Sequence, residues 1–123
     1  MAKWASDAIM DAALDVIDQA DKQIACSAQP TTYAEATATY ALADVALTPN
    51  TDFTKADGTS GRKVTVAAKS GVTVDADGTA THIALVVTGT STLLYVTTMT
   101  SQALTSGNTC NFPAWSIQFS DPT

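Results

Sequence analysis

Between residues 5 and 24 the apolar positions recur at helical spacing. Ile9, Ala13, Val16, Ile17, Ala20 and Ile24 follow one another at intervals of 4, 3, 1, 3 and 4, which places them on one helical face. Asp7, Asp11, Asp15 and Asp18 fall on the other side, where solvation explains them. Ser6 can cap the N-terminus, and Asp7 sits where the positive end of the helix dipole favours an anion. The pattern predicts an amphipathic helix over residues 5–22, with Trp4 just outside the cap as a possible anchor.

The next stretches are shorter. Residues 23–28 read as a strand ended by Pro30. Thr32 and Glu35 have capping-box spacing, so one helical turn can start there. Residues 40–47 fit helix or strand equally, and Thr48-Pro-Asn50 breaks the chain. From residue 61 the period changes to two. Val64 and Val66, then Val72 and Val74, alternate with polar partners, with Ser70-Gly71 between them as a turn. Asp75-Ala-Asp-Gly78 is a strong turn signal. Residues 81–87 form the most apolar run and predict a central strand. Residues 88–91 turn the chain and 93–97 return it. A further turn at 106–108 leads to a last strand carrying Ile117 and Phe119.

Strands about ten residues apart, punctuated by turns, predict a mainly β chain: an antiparallel β-sandwich, jelly-roll-like arrangements included, with one N-terminal amphipathic α-helix. The length of 123 residues fits a single domain over residues 1–123, with the sandwich core at about 60–120. Composition agrees, since 21 threonines suit half-wet pleated surfaces.

The net charge of −6, with only six scattered basic residues, argues against nucleic acid and against anionic lipid as partners. No segment approaches the roughly 20 apolar residues of a membrane span. Asp7, Asp11 and Asp15 interrupt any signal-peptide core, so synthesis and folding in a cytoplasm are expected. In that compartment Cys26 and Cys110 are expected as buried thiols rather than a disulfide.

No constellation for catalysis stands out. His82 is the sole histidine and has no nucleophile motif beside it, so it reads as a hydrogen-bonded residue on a sheet face. Asp75-Ala-Asp77-Gly78 imitates a calcium loop, but the twelfth position is Val86 instead of the bidentate glutamate, so a hairpin turn is expected. Residues 58–63 lack phosphate-loop spacing. Glu35 is explained by its capping box and the aspartates by turns or solvation. The expectation is therefore no enzyme, no cofactor and no metal. Contact residues are the better candidates: Trp4, Ile9, Val16, Ile17 and Trp115 as a protein–protein interface, with core burial as the alternative for either tryptophan.

Several segments carry a resemblance. They are Asp77-Gly-Thr-Ala-Thr-His-Ile-Ala-Leu85, Leu93-Leu-Tyr-Val96, Ala103-Leu-Thr-Ser-Gly-Asn-Thr109 and Phe112-Pro-Ala-Trp-Ser-Ile117. This pattern resembles small virion proteins of tailed bacteriophages, of the capsid decoration (cement) or head-fibre type. Lys3-Trp-Ala-Ser-Asp-Ala8 and Cys26-Ser-Ala-Gln-Pro-Thr-Thr-Tyr33 are similar to phage proteins expected near head genes. The resemblance implies a β-sandwich without a catalytic centre, bound to the major capsid protein lattice and to itself as a homodimer or homotrimer. It places the chain on the capsid surface of the virion after synthesis in the host cytoplasm. Two alternatives stay open: a tail or fibre adaptor or receptor-binding module, and a carbohydrate-active β-sandwich domain needing a carboxylate pair or metal in a cleft.

Overall fold

The computed structural model describes residues 7–58 and 61–119. The fold is mainly β, in antiparallel sheets, with one short N-terminal helix. That helix, α1, is Asp7–Ile17. The expected extension to residue 22 does not form, because the chain unwinds after the Asp18 N–H bond to Leu14 O (2.9 Å) and enters a strand. This strand, β1 (Lys22–Cys26), is bonded on both sides, by β2 (Ala41–Ala46) and β6 (Gly78–Val87). Pairing on both edges gives each of its residues more backbone partners than a helix end can. Residues 5 and 6 of the expected helix, with the Ser6 cap, lie outside the described residues.

Among the described residues nine strands make three sheets. The first has the order β2-β1-β6-β7, with β7 at Thr92–Leu104. The second is β3-β4-β9, formed by Phe53–Asp57, Arg62–Val66 and Trp115–Phe119. The third pairs β5 (Lys69–Thr73) with β8 (Thr109–Phe112). The second and third sheets share one ribbon. Val66 faces Trp115, and Lys69 faces Phe112, three residues further along each strand, so the register passes unchanged through the bend at 67–68 and 113–114. The expected turn at Ser70-Gly71 lies inside β5 instead, where Gly71 takes φ 67° and its N–H is held by the Asn111 side chain at 3.0 Å. Three sheets of four, three and two strands also differ from the two facing four-stranded sheets of a jelly roll.

The bent ribbon covers one face of the first sheet with two cores. One joins Ala25, Leu42, Ala43, Ala80 and Ile83 to Val72, Cys110 and Phe112 of the third sheet and to Val74 just beyond it. The other joins Leu85 to Phe53, Val64, Val66 and Ile117 of the second sheet, with Leu14 and Ile17 of α1 in the same cluster. The opposite face of the first sheet carries Ile24, Cys26, Ala84 and Val86. It is covered by a single π-helical turn, Glu35–Thr39, whose Ala36 is buried against them. The Thr32 side chain accepts the Glu35 N–H at 3.1 Å, as the capping spacing predicted. The Glu35 carboxylate turns to the Thr31 N–H and hydroxyl (2.8 and 2.7 Å), which hold it below the usual carboxylate range.

The sandwich therefore begins at residue 22 rather than near 60. The sequence pattern missed β3, whose Phe53-x-Lys55-x-Asp57 alternation puts charge on an inward face.

Candidate functional site

The inward face of the second sheet explains α1. Arg62 shares that face with Val64 and Val66, as Lys55 does with Phe53. Two cations turned toward a core need anions, and α1 supplies them. Arg62 Nε donates to Asp11 Oδ1 at 2.9 Å and Nη1 to Asp57 Oδ1 at 2.8 Å. Lys55 donates to Asp15 and lies 3.7 Å from Asp18 Oδ2. Hydrogen bonds to Asp11 and Asp57 raise the guanidinium pKa, and the bond to Asp15 raises that of Lys55. Asp18 is only 3% exposed, and burial pushes its carboxyl up despite Lys55.

The sequence expectation for the helix faces is thereby corrected. Met10, Leu14 and Ile17, at i, i+4 and i+7, form the buried stripe, and the aspartates beside them face the second sheet. The other side of α1 points outward: Ile9 is 67% and Val16 57% exposed, with Ala12 and Ala13 exposed between them. Aspartates do not mark the solvent side here, because the cations they serve are far away in sequence. Of the five predicted contact residues, then, Ile9 and Val16 lie on the outward face and Ile17 is in the core. Trp4 lies outside the described residues.

Trp115 is half-buried at the start of β9. Its indole Nε1 donates to the Gln23 side chain, and its ring stacks on Tyr95 with centroids 6.0 Å apart. Its remaining surface lines a shallow groove with Thr97, Thr98, Met99, Thr100 and Pro113. The groove continues into an apolar cavity of about 200 Å³, floored by Ile83, Leu104, Cys110 and Phe112. A bulge opens this cavity. Met99, Thr100 and Ser101 have no counterpart on β6, where only Thr81 separates Ala80 (opposite Gln102) from His82 (opposite Thr98). Sequence reading missed these groove residues. The signal was available, since no Asp, Glu, Lys or Arg occurs between Asp77 and Asp121.

The polar motifs occupy structural positions. His82 Nδ1 lies 2.8 Å from the Thr81 hydroxyl. Asp77 accepts the Ser106 N–H at 2.7 Å. The segment 75–77 is a crossing between sheets instead of the expected hairpin turn, because β5 pairs with β8 while β6 pairs with β1 and β7. Among the described residues no three His, Cys, Asp or Glu side chains stand together as metal ligands, and no helix is long and apolar enough to cross a membrane. Cys26 and Cys110 are free, buried and placed in different cores. Compared with known proteins, the chain matches no family model, no curated sequence and no solved structure.

Proposed function

We propose that the chain is a non-enzymatic phage virion protein that decorates the capsid and binds the major capsid protein lattice. The observation that supports this reading is the outward apolar stripe of α1. Ile9 and Val16 stand exposed on a helix whose opposite side is fixed by Leu14, Ile17 and the aspartate pairs to Arg62 and Lys55. An apolar stripe on a rigidly seated helix is suited to a groove on another subunit, since little side-chain or backbone ordering is left to be lost on binding. Many copies on a lattice would add such modest contacts into firm attachment.

Immunogold electron microscopy of intact virions, with antibody to the chain, tests the reading. Label on the heads is expected. Label on tails would replace it with a tail or fibre adaptor, and virions without label would overturn both. The double variant Ile9→Asp, Val16→Asp is expected to fold, because both side chains are exposed, and to lose attachment to heads.

A further inference from the structure

The cavity at the end of the Trp115 groove is built into the core rather than laid on the surface. Its floor is Ala25, Ala80, Ile83, Leu104, Cys110 and Phe112, all buried and drawn from four strands of two sheets. Each of them belongs to the cluster that joins the first sheet to the third, so the packing of the fold itself fixes the floor. The side chains of this floor carry no nitrogen or oxygen. The bulge on β7 supplies the mouth, because three residues there answer Thr81 alone and the strand bends at that point. Met99 lies at this mouth, partly buried against the same cluster. Its unbranched thioether can adapt its shape to whatever it touches. The polar lining residues Thr100, Gln102 and Asn111 are exposed, so they stand at the entrance and not on the floor.

These features select the occupant. The volume is about 200 Å³, and an apolar cavity of ~150 Å³ already admits benzene while staying free of water. Water gains little from a floor without polar side chains, and a void left empty lowers stability in proportion to its volume. A charged group would enter without a partner, since the Cys110 thiol is the one ionisable side chain in the lining. A peptide strand laid along β7 would meet an edge interrupted by the bulge, so strand addition does not fit.

We infer that this cavity is a binding site for a small uncharged apolar molecule, the size of one aromatic ring with a short substituent. The ring packs against Ile83, Leu104 and Phe112, with Met99 closing over it. The site shares no residue with the α1 stripe, so it stands or falls separately from capsid attachment.

Methyl-resolved NMR of the full chain titrated with toluene tests it. Benzoate serves as the charged ring of similar size, and Ala80→Leu as the variant that fills the cavity. Toluene is expected to shift the methyls of Ile83, Met99 and Leu104 saturably. Charge on the ring and the filled cavity are each expected to weaken binding by more than about tenfold. The absence of a saturable shift in the wild type would overturn the inference, as would shifts centred on Ile9 and Val16. A loss short of that margin for benzoate or for Ala80→Leu would overturn it too. Should Ala80→Leu fail to fold by circular dichroism, the wild-type comparison of toluene with benzoate decides.

Discussion

The indole Nε1 of Trp115 donates to Oε1 of Gln23 at 2.5 Å, joining β9 to the middle of the first sheet. Gln23 is fully buried, and its Nε2 has no protein partner. The two ends of this bond are unequal. Trp115→Phe strips the acceptor of its partner inside the core, and we expect a loss of about 1–3 kcal/mol in urea denaturation. Gln23→Met removes a buried amide outright and leaves only a half-exposed indole N–H that water can reach. It should cost clearly less. Equal losses would mean that the hydrogen bond contributes little beyond packing.

Arg62 bonds Asp11 through Nε and Nη2, at 2.9 and 3.4 Å, and Asp57 through Nη1. A single ammonium has no such fork, so Arg62→Lys should lower the thermal midpoint almost as far as Arg62→Met. High salt should narrow the gap between wild type and Arg62→Met, because these side chains are partly solvated. A gap that widens with salt would show that the arginine acts through its apolar stem.

Two aspartates should give opposite pH signatures. The Thr48 N–H, together with Lys69, holds the Asp52 carboxyl below the ordinary carboxylate value. Its contribution is therefore present above that ordinary value and is lost as pH falls through the lower, folded one. Asp52→Ala should cost about 1 kcal/mol at neutral pH and nothing in strong acid. Asp18 is raised by burial, so its folded form favours the proton, and its contribution fades as pH rises through the raised value. Asp18→Asn should gain stability relative to wild type from acid to neutral pH. Denaturation midpoints across that range check both signs.

Burial pushes the Cys26 thiol up to about 11, and the Cys110 thiol is raised for the same reason. Thiolate is the reactive form, so neither should react with iodoacetamide in the native protein at pH 8. Both should react after addition of guanidinium, read as two adducts by mass spectrometry. Rapid native labelling of Cys26 would show that the π-helical turn over it opens.

The central strand 81–87, the break at 48–50 and the last strand were legible because each is set by a local pattern of apolar residues and turn formers. The helix was legible in kind but not in facing. Its periodicity admits two stripes, one through Ile9 and Val16 and one through Met10, Leu14 and Ile17. The choice between them is made by Arg62 and Lys55, more than 35 residues away in sequence. β3 escaped notice because an inward lysine reads as a surface residue until its partner is known. The groove is set by a bulge, which depends on how β6 and β7 register, and no single strand records that.

The bend between β4 and β5 and its counterpart between β8 and β9 look like ordinary exposed connections, places where a chain usually accepts length changes. Here they do not serve as such, because Val66–Trp115 and Lys69–Phe112 belong to one uninterrupted register. One residue inserted at 67–68 would shift β5 against β8 and exchange inward for outward side chains in half of the ribbon. Tolerated length variation should concentrate at 89–91, leaving the two corners as a part of the surface with a rigidly fixed length.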